Sequence, residues 1–151
     1  MTALLCQIAT LGPLGRLPAP GTAGSLAALL LGWVILVHAG WLWLFLAALA
    51  ATIIGVLAGD RYARSSGRHD PGEVIIDEVA GQLLAMLCIG GPEIGWFLAS
   101  FILFRFFDIS KIWPVSAAER LPGGIGIMAD DIVAGTLAGL CLLLGRLALG
   151  S

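Results

Sequence analysis

The chain has 151 residues, of which 59% are hydrophobic and 12% are charged, and its formal net charge is −2. So few charged side chains cannot cover the surface of a soluble domain of this length, and so apolar a composition excludes a disordered chain. A net charge near zero, without a basic stripe, argues against nucleic-acid binding. The composition therefore predicts an all-α, polytopic helical membrane protein, formed by residues 1–151 as a single domain.

Five apolar runs follow one another along the chain and predict about five short membrane-embedded helices. They cover residues 23–37, 41–58, 74–90, 94–107 and 132–149. Helices are expected because the runs lack the alternation of apolar and polar residues that barrel strands show. Several runs are shorter than the roughly 20 residues of a spanning helix, so flanking residues or a thinner bilayer must make up the length. Only residues 38–40 separate the first two runs, which predicts a tight helical hairpin.

Most basic residues fall on one side of the membrane if the five runs alternate in direction. These residues are Arg16, Arg61, Arg64, Arg68, Lys111 and Arg120. The positive-inside rule makes that side cytoplasmic. The opposite side receives the loops near His38 and Glu93 and the C-terminus with Arg146.

Acidic residues gather at the same ends of the runs, although the positive-inside rule does not account for acids. They are Asp60, Asp77, Glu78, Asp108, Asp130 and Asp131. Ionisable groups at membrane depth are costly and usually mark function. Six carboxylates at one level repel one another, and an oxygen-liganded divalent cation such as Mg²⁺, Mn²⁺ or Ca²⁺ would relieve that repulsion.

Structural interpretations remain open for several of these acids. Asp130 and Asp131 could cap the N-terminus of the fifth helix, where the helix dipole favours negative charge. Asp60 could pair with Arg64 four residues later, and Asp108 could pair with the basic residue three positions before or after it.

Two glycine-rich segments border the acids. Residues 17–25 predict a loop that leads into the first helix, which Thr22 or Ser25 could cap and whose free amides could bind an anion. Residues 123–126 predict a second, flexible loop just before the last acids.

Two further patterns concern helix surfaces. The arginines at positions 61, 64 and 68 would share one face of a helix, where they set the topology or attract an anionic headgroup. Two pairs of glycines four residues apart predict close helix packing: Gly55 with Gly59, and Gly135 with Gly139.

An acidic metal site among basic residues and phosphate-type loops indicates phosphoryl chemistry on an anionic lipid. Four segments of the chain resemble the motifs of the bacterial phosphatidylglycerophosphatase A family, in the family's order. They are PAPGTAGS at 18–25, DPGEVIIDEVAGQ at 70–82, FRFFDISKIWP at 104–114 and GGIGIMADDIVAG at 123–135. The chain departs from the family at Ile112, where a proline is common.

The resemblance implies an Mg²⁺-dependent phosphatase that converts phosphatidylglycerophosphate to phosphatidylglycerol, an anionic bilayer lipid. It also implies the bacterial inner membrane, and we expect the active site on its cytoplasmic face. The catalytic residues that it implies are Asp60, Asp77, Glu78, Asp108, Lys111, Asp130 and Asp131. We expect one or two Mg²⁺ ions to be held by Asp77, Glu78, Asp130 and Asp131. We expect the substrate to be bound by Arg105, Lys111, Thr22, Ser25, Arg61 and Arg64.

Two other functions compete with a phosphatase. One is a small membrane cation transporter that uses the carboxylates as a pathway, and the other is a non-catalytic subunit of a lipid-synthesis complex. The acids gather at one face instead of crossing the bilayer, which favours an enzyme over a transporter. A cysteine phosphatase is excluded because no cysteine has an arginine six residues later.

Overall fold

The computed structural model describes residues 2–150, which form helices joined by short loops, and no strand occurs among them. The helices in chain order are α1 (Thr2–Ala9), α2 (Pro20–His38), α3 (Trp41–Ser66), α4 (Ile76–Met86), α5 (Ile94–Ser110), α6 (Val115–Ala118) and α7 (Gly123–Leu149). A single 3₁₀ turn, Leu14–Arg16, lies between α1 and α2. The prediction of an all-helical protein is confirmed.

Three helices are long and apolar enough to cross a membrane, namely α2, α3 and α7, with 19, 26 and 27 residues. α5 has 17 residues. At 1.5 Å per residue, such a helix is about 25 Å long, slightly less than the roughly 30 Å of a hydrocarbon core. α4 has only 11 residues. Each predicted apolar run contains a helix, but five is only an approximate count of the spans.

α4 is shorter than its apolar run, and its side chains face protein on every side. The helix ends at Met86, and turns continue to the end of the run, where Gly90 adopts a φ of 74°. α4 packs against α2, α3, α5 and α7. The C-terminal end of α4 is fully buried at Leu83, Ala85 and Met86, and so is Ile89 in the following turn. An enclosed helix is hydrophobic all round whatever its length, so the run alone does not reveal where the helix ends.

The predicted tight hairpin between the first two runs is confirmed. α2 ends at His38 and α3 begins at Trp41. Gly40 lies between them with a φ of 86°, a backbone conformation that favours glycine.

The glycine pair of α3 lies at a helix contact, as predicted. A Cβ atom at Gly55 would lie 2.5 Å from the sulfur of Met128, and one at Gly59 would contact Ile127. Both partners belong to α7, so the small residues let α3 and α7 approach closely.

The glycine pair of α7 is also confirmed, and its partner is α4. A Cβ atom at Gly135 would lie 2.3 Å from the carbonyl oxygen of Gly81, and one at Gly139 would contact Cys88. The two helices therefore cross almost backbone to backbone at Gly81 and Gly135.

α7 begins at Gly123, well before the predicted start of the fifth run, so the prediction of a flexible loop there is wrong. At Gly124, a side chain is excluded because α3 lies so close: a Cβ atom there would lie 2.0 Å from the carbonyl oxygen of Val56. Asp130 and Asp131 consequently lie inside α7 and do not cap its N-terminus.

The N-terminus of α2 also differs from its prediction. The helix begins at Pro20, its N-cap is Ala19, and no side chain caps it. Thr22 and Ser25 lie inside the helix, so the capping prediction is wrong. The Ser25 hydroxyl instead donates a hydrogen bond to the Gly21 carbonyl one turn earlier, at 2.8 Å.

α3 continues to Ser66 and ends at Gly67, whose φ is 67°. Arg61 and Arg64 therefore lie on the helix, whereas Arg68 follows its end. The three arginines do not form one helical face, because the left-handed glycine interrupts the helix before the third.

Candidate active site

Three acidic side chains from two helices meet inside the bundle. Asp77 and Glu78 lie in the first turn of α4, and Asp131 lies in α7. Each offers one carboxylate oxygen, and these oxygens all lie within 4.8 Å of one another. Asp77 is 7% exposed and Asp131 is 3% exposed. We call these three residues the carboxylate group.

The crossing of α4 and α7 brings the carboxylate group together. Gly81 lies four residues after Asp77, and Gly135 lies four residues after Asp131. Residues four apart share a helix face, so each acid lies one turn from the point where the helices touch. The start of α4 is fixed in addition by its N-cap amide, which donates to the last carbonyl of α1 at 2.9 Å.

Two oxygens of the carboxylate group, Glu78 Oε2 and Asp131 Oδ1, are buried and have no hydrogen-bond partner among the described residues. Asp77 Oδ1 accepts the backbone amide of Glu78 at 3.0 Å. Buried anionic oxygens without partners are costly, and neighbouring carboxylates repel one another. A cation with a preference for oxygen ligands would remove both penalties. The donor set therefore fits a hard divalent ion such as Mg²⁺.

Arg105 of α5 lies beside the carboxylate group. Its Nη1 faces Glu78 Oε1 at 4.0 Å and pairs with the carboxylate of Asp108, one turn later on the same helix. The same nitrogen donates to the hydroxyl of Ser25 at 3.4 Å. Arg105 Nε is buried and has no partner within residues 2–150. The guanidinium is thus held by α2 and α5, and its buried Nε–H is left without an acceptor.

The first turn of α2 closes this corner of the site. A Cβ atom at Gly21 would lie 2.2 Å from Glu78 Oε1 and 3.2 Å from an Arg105 nitrogen. Thr22, the next residue, is half-buried, and Ser25 is fully buried. Residues 18–25 therefore lie directly against the acids, and they can do so because Gly21 has no side chain.

Lys111 connects the end of α5 to α7. It is the C-cap of α5, with a left-handed φ of 48°. Its Nζ donates to Asp130 and lies 3.4 Å from a carboxylate oxygen of Glu119. Two carboxylates, those of Asp130 and Glu119, therefore partner the ammonium group beside the carboxylate group.

Asp60, Arg61 and Arg64 lie outside the carboxylate group, in the last two turns of α3. Asp60 accepts a salt bridge from Arg64 Nε at 2.9 Å, as the spacing of four residues predicted. Both residues line an open cavity of about 540 Å³ together with His69. Arg61 is exposed on α3. Roles for these three in catalysis or substrate binding stay predictions.

Two charged residues beside the site were missed by the sequence analysis. Glu119 shares Lys111 with Asp130. Asp70 acts electrostatically on Asp130 and lines a small cavity with it. Asp70 stands at the start of the second motif, which was an available signal, whereas nothing in the sequence points to Glu119.

A buried polar pair beneath the carboxylate group was missed as well. The Gln82 side-chain amide donates to the Ser100 hydroxyl at 3.1 Å, and both residues are fully buried. Gln82 lies four residues after Glu78, so a polar residue one turn from an acid within an apolar run was the available signal.

Comparisons with known proteins agree on one family. The sequence profile of phosphatidylglycerophosphatase A matches residues 7–146. The chain is 36% identical over 129 residues to phosphatidylglycerophosphatase A of Escherichia coli strain K12, which covers 84% of this chain and 74% of that protein. It is 37% identical over 122 residues to phosphatidylglycerophosphatase A of Haemophilus influenzae, which covers 80% of this chain and 75% of that protein.

A third relative carries a different name. The chain is 33% identical over 140 residues to a putative phosphatidylinositol-3-phosphatase of Bacteroides thetaiotaomicron, covering 87% of this chain and 86% of that protein. No solved structure matches the chain.

Proposed function

The chain belongs to the phosphatidylglycerophosphatase A family and is a phosphatase, and we propose that it hydrolyses phosphatidylglycerophosphate to phosphatidylglycerol and inorganic phosphate. The observation that carries the reaction type is the buried carboxylate group with two basic side chains, Arg105 and Lys111, held next to it. The names of the relatives supply the substrate.

Asp77, Glu78 and Asp131 are the ligands that we propose for Mg²⁺. The partnerless oxygens of Glu78 and Asp131 support this assignment. When bound, the ion would neutralise charge on the phosphate oxygens and lower the pKa of a coordinated water. Asp130 is a further candidate ligand, although Lys111 already occupies one of its oxygens.

Arg105 and Lys111 are the residues that we propose to bind the phosphate. A guanidinium binds phosphate through two parallel hydrogen bonds, and an ammonium acts as a compact point charge. Asp108 holds Arg105, and Asp130 holds Lys111. These acids therefore keep both basic groups in position before the phosphate arrives.

Asp108 is the better candidate for general acid–base catalysis: as a carboxylate it would take a proton from the attacking water and pass that proton to the departing glycerol oxygen. It pairs with Arg105 and acts electrostatically on Glu78 and Asp131. A positioned acid or base contributes about 10²–10⁴-fold to such reactions. Asp60 is the alternative candidate, although its salt bridge holds it outside the carboxylate group.

The substrate and the three membrane-length helices fit a protein of the bacterial inner membrane. The arginines of α3 and the basic residues around α6 lie at the same end of the helices as the carboxylate group. On the basis of the positive-inside rule, we propose that the active site lies at the cytoplasmic face, where it would meet lipids of the inner leaflet.

Phosphate release from a defined lipid tests the proposed function. The purified full chain is given phosphatidylglycerophosphate in mixed micelles, and inorganic phosphate is measured with Mg²⁺, with EDTA, and after Mg²⁺ is restored. We expect turnover with Mg²⁺, loss with EDTA and full recovery. Unchanged turnover in EDTA would contradict the proposed requirement for Mg²⁺ but not the proposed phosphatase activity.

Two further arms separate the alternatives. Phosphatidylinositol 3-phosphate is offered under the same conditions, because one relative carries that specificity in its name. We expect slower turnover than with phosphatidylglycerophosphate, and the reverse order would change the substrate. Metal flux into liposomes without any phosphate release would favour a cation transporter instead.

A further inference from the structure

We propose that the end of α5 and the turn after it are seated in the lipid bilayer and form the side of the active site from which the lipid phosphate arrives. The residues concerned are Ile109, Ile112 and Trp113, which we call the α5 edge. The seating in lipid is independent of the proposed function, whereas the arrival of a lipid phosphate rests on it.

An exposed apolar stripe runs along α5 and continues past the end of the helix. Its members are Ile94, Leu98, Ile102, Phe106 and Ile109 on the helix, followed by Ile112 and Trp113. The helical members are three or four residues apart, so they share one face. Ile109 is 69% exposed and Trp113 is 78% exposed. The stripe therefore extends along the chain past Arg105 and Asp108, the residues of α5 that lie at the site.

The carboxylate group is level with this stripe. Arg105 and Asp108 alternate with Phe106 and Ile109 in the last turns of α5. Arg105 turns inward to Glu78, while Phe106 and Ile109 face outward. On this side of the bundle, one helix thickness separates the charged site from an apolar exterior.

A lipid bilayer is the occupant that fits this surface. The stripe resembles the exposed apolar faces of α2, α3 and α7 in composition, and these three helices are long enough to cross a membrane. An exposed indole at the end of such a stripe suits the boundary between headgroups and acyl chains, where tryptophan is enriched. Lys111 and Arg120 lie nearby in the sequence and add attraction for anionic lipid.

Lys111 couples the α5 edge to the site. It lies between Ile109 and Ile112 in the chain, and it holds Asp130 of α7. A lipid whose headgroup lies at the level of Trp113 therefore has its phosphate at the level of Lys111, within the same short turn. No passage through the aqueous face is needed for the phosphate to reach the basic groups.

Fluorescence quenching tests the seating. A variant with Trp33, Trp41, Trp43 and Trp96 changed to Phe leaves Trp113 as the sole indole, and it is reconstituted in phosphatidylglycerol–phosphatidylcholine vesicles. We expect strong quenching by lipids brominated near the headgroup end of the acyl chains, and weak quenching by aqueous iodide. The opposite pattern would overturn the proposal. Resistance to both quenchers would also overturn it, since protein or a second copy of the chain would then cover Trp113.

A substrate comparison tests the access route. The rate on vesicle-bound phosphatidylglycerophosphate is divided by the rate on a short-chain, water-soluble analogue. For Trp113→Gln we expect this ratio to fall about tenfold, because an indole loses much of its apolar contact with lipid. Trp113→Phe should largely restore the ratio.

Trp43→Gln is the matched control, because Trp43 is also exposed but lies near the start of α3, at the far end of the bundle. We expect its ratio to equal that of the unaltered chain. Equal losses on both substrates for Trp113→Gln would overturn the access route and indicate a structural role. If the unaltered chain released no phosphate from either substrate, the proposed function would fail, and the quenching measurement would still decide the seating.

Discussion

α3 and α5 each carry an acid–base pair near one end, and the two pairs differ in their surroundings. On α3, Asp60 pairs with Arg64 beside an open cavity, where Arg64 is exposed and Asp60 is half-buried. On α5, Arg105 pairs with Asp108, and both side chains are mostly buried beside Glu78. Exposed ion pairs contribute little to stability, whereas buried charges are costly and are usually kept for function. We therefore expect the pair on α5 to matter more for the chemistry than the pair on α3.

Removing a carboxylate from the group is the sharpest test of this contrast. We expect Asp131→Asn to lower turnover at least about a hundredfold and to raise the Mg²⁺ concentration needed for half-maximal rate. Asp60→Asn should lower turnover less and leave that Mg²⁺ concentration unchanged. Both are measured as phosphate release over a Mg²⁺ titration.

Glu93→Gln serves as the control for carboxylate removal, because Glu93 is exposed at the opposite end of α5 and should have no effect. Equal shifts in Mg²⁺ dependence for Asp60→Asn and Asp131→Asn would contradict the proposal that the carboxylate group binds the metal and Asp60 does not.

The crossing of α4 and α7 is expected to tolerate no added volume. A Cβ atom at Gly81 would lie 2.5 Å from the Phe104 ring and 2.6 Å from the Asp131 carbonyl oxygen. Gly81→Ala should therefore destabilise the fold by about 1–3 kcal/mol, as overpacking does. Thermal unfolding in detergent measures the effect.

Gly95→Ala is the matched control on α5, because nothing lies within 4 Å of its Cβ position. Alanine is favoured over glycine in a helix by up to about 1 kcal/mol, so this variant should unfold at the same temperature or higher. A stable Gly81→Ala variant with unaltered turnover would contradict the close crossing.

Lys111→Met should raise KM for the lipid substrate about tenfold, because the phosphate loses one charge-assisted hydrogen bond. Lys111→Arg should recover most of the loss. Arg64→Met, at the α3 end, is expected to change KM less, and initial rates over a substrate series measure all three. A larger rise in KM for Arg64→Met than for Lys111→Met would indicate that the phosphate binds near the end of α3.

The smallest effect is expected from the exposed pair that follows α3. The hydrogen bond from Arg68 lowers the pKa of Glu73 below its usual range. Such a group stabilises the fold above its unfolded pKa, and this contribution is lost as the pH falls through the folded pKa. Because the pair is exposed, Glu73→Gln should shift the unfolding temperature at neutral pH only slightly, and the shift should vanish in acid. A large shift would show that this loop stabilises the bundle.

The sequence predicted the helical class and the meeting of three of the acids better than it predicted the ends of the helices. The apolar runs located all five main helices, and the glycine pairs located two helix contacts. The acids at Asp77, Glu78 and Asp131 do meet, because Gly81 and Gly135, one turn after Asp77 and Asp131, permit the close crossing of α4 and α7. Composition and spacing are enough for such features.

The errors occurred where tertiary contact overrides local preference. The glycines that open α7 indicated a loop, but they lie in the helix, and the backbone of α3 lies against Gly124. The apolar run of α4 indicated a span, but its side chains are enclosed by four other helices. The pairing of Lys111 with Glu119 depends on a turn whose direction no single segment determines. Such information resides in pairs of distant segments.

The fully buried inner end of α4 bears on how a charged pocket can exist in an ion-tight barrier. Beneath Asp77 and Glu78, the side chains of Leu83, Met86 and Ile89 leave no exposed surface. We therefore expect these side chains to block any path for protons or metal ions from the acids to the opposite face of the membrane. A cell could carry many copies of such a protein without dissipating the electrochemical gradient across the membrane that holds them.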